Sequence, residues 1–478
     1  MKRLLFLVHR WLGVVMCLFF AMWFGSGIVM MYVDYPRLTE QERLAALPDL
    51  KMDKILVSAE EAMSLGQSLG QLDGPVVELK LTSIADRPAY QFSNSAGQLK
   101  SVYADTGELF RNSNEHQALT AVRSSGFASA GAPTYEQKID MDQWTVSAGL
   151  HKHRPLHKVS IAGGQGIVLY VSDLTGQVVR DTNKRERFWN WLGSTLHWIY
   201  PVQLRRHADL WVDVIIVLSM TGIFSVVTGG IIGTMRLRLK NRVKGNAVSP
   251  YKGVAKWHHI LGLLCLVFIS TFIFSGLMSM GPWGIFASPS SVTQQVNRYR
   301  GSFPVDVSID SWLDSQKLDR LKEVTWQRIA GQSHLVFSYS ATDRQTRPDY
   351  LRDRIKAAIP LLLPDDRIVD VQVLGNYDDY YYSRHNQYRP LPVLRVKFDD
   401  EESTWFHLDM VTGEVVTRHT DGSRLERWLY HGLHSLDFSF LIERGLLWDL
   451  VVIFLCGIGF LFSITSVIIG SRQLKSKG

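Results

Sequence analysis

Four histidines in this chain have the residue type and the spacing for metal ligation. His9, with Leu12, Gly13, Phe19, Ser26, Gly27 and Met31, recurs without a gap 249 residues later. There the residues are His258, Leu261, Gly262, Phe268, Ser275, Gly276 and Met280. A second block repeats at an offset of 237 residues. Thr175, Gly176, Val178, Val179, Trp191, Leu192, Leu196, His197, Leu210, Trp211, Gly222, Thr228 and Gly233 return as Thr412, Gly413, Val415, Val416, Trp428, Leu429, Leu433, His434, Leu447, Trp448, Gly459, Thr465 and Gly470. Tandem duplication accounts for the apolar matches. It does not account for one titratable residue per block retained beside an apolar segment. Two imidazoles facing each other across a pseudo-two-fold axis are what bis-histidine ligation of haem iron needs. The pairs are His9 with His258 and His197 with His434.

The elements that must position these residues are membrane helices. Of the 478 residues 46% are hydrophobic, and they are bunched. Residues 11–33, 210–234, 258–281 and 446–470 are nearly free of charge. Each reaches the ~20 residues that a bilayer core requires of a helix. The first run is too long for a signal peptide and lacks a small-x-small cleavage site, so it reads as a retained anchor. Lys2, Arg3 and Arg10 flank it. Arg236, Arg238, Lys240, Arg242, Lys244, Lys252 and Lys256 fill the linker between the second and third runs, and Arg472, Lys475 and Lys477 follow the fourth. Basic loops stay in the cytoplasm, so both termini and the linker are expected there. The formal net charge of +7 then reflects topology, and nucleic-acid binding is not required.

The expected order is a first transmembrane helix (1–33), an outer domain (34–207), a second helix (208–234) and a basic cytoplasmic linker (235–256). A third helix (257–281), a second outer domain (282–445), a fourth helix (446–470) and a cytoplasmic tail (471–478) complete it. In a bacterium this is a multi-pass inner-membrane protein with its outer domains in the periplasm. Cys17, Cys265 and Cys456 fall within the spans and none is shared between repeats, so no disulfide framework is available. The outer segments read as small α+β modules. Residues 89–110 give strands around turns at Ser95-Ala96-Gly97 and Asp105-Thr106-Gly107, and 166–181 and 403–418 are two further hairpins. Residues 56–71 and 350–363 look like the amphipathic helices that would cover such sheets.

These features resemble a known family. HRWLG opens a span, hairpins end in T-G-[QE]-V-V, and LHWIYP or LHSLDF precedes a span opened by Leu-Trp. The pattern is similar to the PepSY-associated transmembrane proteins, also called iron-regulated membrane proteins, a group that includes inner-membrane ferric-siderophore reductases. The resemblance runs through nearly the whole chain. It implies a membrane α+β protein: a four-helix transmembrane bundle from two fused repeats, with two extracytoplasmic PepSY-like domains. It also implies a haem-containing reductase working on the periplasmic side. Some relatives carry a fused flavin reductase module. None is present in this chain, so the donor would be separate, cytoplasmic or quinol.

The histidines have rivals within the sequence. His9 and His258 lie about one turn inside their spans, where an ionisable group is costly and usually functional. Gly13 and Gly262 follow at i+4 and let a flat macrocycle or a neighbouring helix approach the backbone. Gly27 and Gly276 return to the same faces five turns later, ~27 Å along the axis. His197 and His434 precede a span-opening tryptophan. His259, adjacent to His258, corresponds to Arg10, while His207 and His431 have no partner in the other repeat. HKHRPLH, carrying His151, His153 and His157, reads as a basic strand whose alternating histidines share a face suited to a metal. Tyr377, Tyr380, Tyr381, Tyr382 and Tyr388 could stack on a bulky ligand or pack against their own domain. Arg187, Arg205 and Arg206 could neutralise haem propionates or serve as interfacial anchors. No G-x-G-x-x-G after a strand, Walker loop, H-E-x-x-H or G-x-S-x-G occurs in a credible setting.

The expectation is therefore a b-type cytochrome with one or two haems, whose axial ligands are His9 with His258 and His197 with His434. Electrons would pass from a cytoplasmic or quinol donor to a ferric siderophore. Two rivals remain open: a non-redox membrane-anchored regulator or binding protein, and a small transporter built on fused repeats. Against transport, the spans hold no acidic residue near mid-bilayer.

Overall fold

The computed structural model describes residues 2–68, 75–238, 248–302, 318–346, 348–383 and 388–475. Of the residues singled out above, Lys240, Arg242, Lys244 and Lys477 lie outside this set, as do 69–71 at the end of one expected helix. The chain divides into two compact units, one of Met1–Tyr35, Phe188–Ala287 and Gly422–Gly478, the other of Pro36–Arg187 and Ser288–Asp421.

The first unit is helical. Helices α1 (Lys2–Met30), α2 (Ala208–Arg236) and α5 (Gly445–Lys475) are each long and apolar enough to cross a membrane. A helix satisfies its own backbone polar groups and is the element a bilayer accepts. Charge also fits the helix dipoles: Asp209 sits in the first turn of α2 and Arg236 in its last, and Arg472 and Lys475 close α5. The third apolar run departs from expectation. It forms α3 (Val254–Leu264) and α4 (Leu266–Met278), which meet at Cys265 with a bend of 68°. Among the described residues there are thus three membrane-capable helices, or four if the bent pair counts as one span. Hydropathy runs unbroken through residues 258–281 and gives no sign of the bend. Helix α1 packs on α2 and α5, α2 on α3 and α4, and α3 on α5. Their shared core contains Phe24, Cys265, Ile269, Val452 and Cys456, with Phe268 and Phe272 packed against it.

The second unit is built on sheets. Its strands are β1 (Val76–Ile84), β2 (Arg87–Asn94), β3 (Leu99–Tyr103), β4 (Leu109–Phe110), β5 (Pro133–Ile139), β6 (Leu156–Ile161), β7 (Val168–Ser172) and β8 (Val178–Thr182). From the second segment come β9 (Glu323–Ile329), β10 (Gln332–Ser338), β11 (Arg344–Gln345), β12 (Ile368–Leu374), β13 (Val393–Phe398), β14 (Trp405–Asp409) and β15 (Val415–His419). The two segments were expected as two separate modules. Instead they share one seven-stranded sheet, ordered β11-β10-β9-β1-β2-β3-β4, in which β1 and β9 pair antiparallel at Leu79↔Trp326 and Leu81↔Val324. Leu79, Leu81, Tyr90, Phe92, Trp326 and Leu335 bury one apolar core across that junction. Strand alternation within each segment cannot reveal which chain segment supplies the neighbouring strand. Each segment adds a four-stranded antiparallel sheet, β5-β6-β7-β8 and β12-β13-β14-β15. The hairpins read from 166–181 and 403–418 are β7–β8 and β14–β15.

Candidate functional site

Each of the second-block histidines sits on a short segment just before a membrane helix. A π-helical turn, Trp191–Thr195 or Arg427–Gly432, occupies the corresponding place in the two copies. Such turns concentrate at functional positions. Two residues beyond each histidine the backbone enters the left-handed region, at Ile199 (φ 49°) and Leu436 (φ 53°). A bulky residue there is strained, and the same strain appears in both copies. The span-opening tryptophans hold the segment down: Trp211 Nε1 donates to Trp198 O and Trp448 Nε1 to Ser435 O, each at 2.9 Å. In the first copy Trp23 Nε1 also donates to His197 O at 3.0 Å.

The imidazoles then meet α1 and α4. His197 Nδ1 lies 3.1 Å from Ser26 Oγ, and His434 Nδ1 lies 3.1 Å from both Ser275 Oγ and Phe272 O. Gly27 and Gly276 lie beside the rings, where an ideal Cβ would stand at the ordinary contact distances of 3.6 and 3.5 Å from the respective Cε1 atoms. The two rings approach within 6.0 Å, centre to centre, at 71°. Two imidazoles bound end-on to one metal have ring centres about 6 Å apart, because each bond is ~2 Å and each ring centre lies ~1 Å behind its nitrogen. Ser26 and Ser275 are equivalent in the repeat.

At the opposite end of α1, where α2 and α5 finish, lie His9 and His258. His9 Nδ1 is 3.2 Å from Ser225 O and from Thr228 Oγ1. His258 Nδ1 is 3.2 Å from Thr465 Oγ1 and from Ser466 Oγ, and its ring stacks on Phe462 at 4.9 Å. Thr228 and Thr465 are again repeat equivalents. No ring contact joins His9 to His258 among the described residues.

The hydrogen-bond network fixes the tautomer of two of these rings. A carbonyl only accepts, so His9 and His434 carry their proton on Nδ1. The hydroxyls direct their own protons to helix carbonyls: Ser26 to Met22 O at 2.6 Å, Thr228 to Phe224 O at 2.8 Å, Thr465 to Phe462 O at 2.6 Å. Those hydroxyls are thereby free to accept from Nδ1–H of His197, His9 and His258. In His9 and His434 the lone pair is left on Nε2, and in all four rings no described residue hydrogen-bonds Nε2. Metal-ligating histidines have this arrangement, with the remote nitrogen tied to an oxygen.

The rival histidines differ. His259 uses both nitrogens, Nδ1 with Ser249 Oγ and Nε2 with Gly233 O, each at 2.8 Å, and is a structural tie. His207 is exposed at the start of α2, and His431 packs on Tyr430 at 4.5 Å. The HKHRPLH reading fails, because Pro155 divides the segment. His151 and His153 lie in a 3₁₀ turn, and His157, on β6, is buried against Asp173 Oδ1 (2.8 Å), Ser113 O (3.0 Å) and Tyr135 OH (3.1 Å). Among the described residues no three or more His, Cys, Asp or Glu converge as a metal cluster, and bis-imidazole ligation needs only two. Arg187 is bonded to Thr182 O and Gly166 O, and Arg205 lies over the rings of Tyr200 and Trp211. The tyrosine loop packs on its own domain. Tyr381 stacks on His407 at 4.8 Å and donates to Pro390 O, and Tyr380 meets Trp405 at 5.1 Å.

The sequence profile of the PepSY-associated TM region matches residues 6–470, a stretch that contains all four paired histidines. The chain belongs to the PepSY-associated transmembrane family. No curated protein matches it. In this PepSY-associated protein the hydroxyl partners Ser26, Ser275, Thr228 and Thr465 went unassigned from sequence, although each recurs in the repeat. Small polar residues retained inside apolar runs were the available signal.

Proposed function

We propose that this protein is a haem-binding inner-membrane reductase that delivers electrons to a ferric chelate on the periplasmic side. One haem would lie between His9 and His258 and another between His197 and His434. The observation that carries the reading is a shared arrangement: four imidazoles, each with Nδ1 against a helix oxygen and Nε2 without a hydrogen bond to any described residue. The 6.0 Å approach of His197 and His434 fits an iron between them. Haem bound at these sites would supply one-electron transfer. Ser26, Ser275, Thr228 and Thr465 orient the rings and raise their basicity by accepting from Nδ1–H. Phe24, Phe268, Phe272 and Val452 fill the space among the helices and exclude water. His9 and Ser26 are 17 residues apart on α1, so the tiers are spaced ~25 Å along the helix, near the thickness of a bilayer core.

A cytoplasmic or quinol donor would give one electron per ferric ion. Reduction to Fe(II) weakens the hold of hard oxygen ligands and releases the metal. The test is anaerobic mixing of the reduced, purified protein with ferric siderophore and a ferrous trap. Reoxidation of the protein with stoichiometric Fe(II) capture is expected. A haem-loaded protein that stays reduced would contradict the reductase assignment.

A further inference from the structure

Strands β5 and β12 occupy corresponding outer edges of the two four-stranded sheets, yet their surfaces differ. A sheet edge invites pairing by other chains, and proteins protect it with charge. On β5 the exposed residues are Thr134, Glu136, Gln137 and Lys138, with Glu136 and Lys138 tied into ion pairs. On β12 they include Val369, Val371 and Val373, exposed to 52, 46 and 53%. Val371 pairs across the sheet with Val396 and Val373 with Leu394. They therefore continue the apolar face whose inner part, Val396, Leu394, Phe406 and Leu408, is buried with Leu351 and Ile355 of the helix Pro348–Ala358. The face extends beyond that cover to the edge of β12, where no strand pairs with it among the described residues.

The charge beside this edge is acidic. Asp365 and Asp366 lead into β12, and Asp399, Asp400 and Glu401 follow the strand paired with it. The Asp366 carboxyl is held above its ordinary value, first by burial and then by Asp400, Asp365, Asp399 and Glu401. Arg367 answers Asp399 at 2.6 Å and Lys397 answers Asp370 at 2.9 Å, which leaves Asp365, Asp366 and Glu401 without a cation among the described residues.

We infer that β12, beyond the bulge between Ile368 and Asp370, is a docking edge for an extended, basic-flanked protein segment, which adds a strand to the sheet and seats alternate apolar side chains on Val371 and Val373. Strand addition draws affinity from backbone hydrogen bonds and specificity from alternate side chains. Complementary charge makes the segment basic and disfavours an anionic bilayer. The inference stands on the sheet-built unit alone and is independent of haem.

The probe is a fluorescein-labelled peptide, Lys-Lys-Val-Thr-Val-Thr-Val-Lys-Lys, titrated against the full-length protein in detergent and read by anisotropy. Saturable binding is expected. Val371→Lys and Val373→Lys should each weaken it at least about tenfold, and so should the combined Asp365→Asn, Asp366→Asn, Glu401→Gln variant at low salt. Thr134→Lys on β5 should leave it unchanged. Absence of binding, equal affinity for the same peptide with glutamate flanks, or full binding by the valine variants would overturn the inference. A wild-type dimer that Val371→Lys dissolves would overturn it too, by assigning the edge to a second copy of the chain.

Discussion

The two histidine tiers are built from recurring sequence blocks, and their surroundings match to different degrees. At the His197/His434 tier both rings meet a serine at the equivalent position, both lie beside a bare glycine, and both segments are pinned by a tryptophan on the same carbonyl. At the His9/His258 tier the surroundings have diverged. Helix α2 gives His9 a carbonyl, a threonine and the bare backbone of Gly229, whereas α5 gives His258 two hydroxyls and a stacked phenylalanine. The straight α1 carries His9, while the bent α3/α4 pair carries His258. Under the proposed function a pair of ligands needs only matched lone pairs, so one tier could lose its surrounding symmetry without losing its ligand set. Divergent surroundings would then tune the two rings separately.

The largest effects should come from the ligands. His197→Ala and His434→Ala should each remove the same half of the bound haem, and His9→Ala and His258→Ala the other half, by haem-to-protein ratio. Loss of both halves in any one variant would deny that the tiers are separate sites. Steric intrusion comes next. An ideal Cβ on Gly229 would lie 2.8 Å from His9 Cε1, so Gly229→Val should empty the first tier and spare the second. If both tiers stay full, the close packing of α2 on His9 does not matter to ligation.

Smaller effects separate the two rings of the second tier. Ser26 is the acceptor for His197 Nδ1, whereas His434 has Phe272 O as well as Ser275. Ser26→Ala should lower haem affinity by about 10–100-fold, the range for loss of a ligand's hydrogen-bond partner, with Ser275→Ala costing less. Equal losses would mean the carbonyl contributes nothing.

The sheet-built unit gives the smallest test. Burial lowers His334 from 6.5 to about 4, and its Nε2 is bonded to Thr412 O at 2.8 Å. Folded His334 stays neutral while the unfolded residue takes a proton below pH 6.5. Stability should therefore fall on acidification from 6.5 toward about 4 and then level off, by on the order of 1–3 kcal/mol from this group. In thermal melts across that range, His334→Gln should show a shallower pH dependence than the parent. An unchanged slope would place the proton uptake elsewhere.

The sequence made some of this legible and left the rest dark for physical reasons. Apolar length located α1, α2 and α5, because a helix in lipid must be long and uncharged. The recurrence singled out the four histidines, of which the structure brings the rings of His197 and His434 within 6.0 Å of each other. The bend at Cys265 was invisible, since hydropathy does not encode direction. The shared sheet was also invisible, since β1 and β9 meet across more than two hundred residues of chain. The Nδ1 partners stood in the repeated blocks, yet pairing Ser26 with His197 required knowing which helix faces which segment.

Haem ligation is decided by the visible absorption spectrum of the full-length protein, purified from haem-replete cells, before and after reduction. A Soret band is expected, with a narrow α band on reduction as two imidazole ligands give, and two haems per chain, falling to one in His197→Ala. A wild-type protein with no Soret absorption would contradict it, and so would full haem content retained in His197→Ala and His434→Ala.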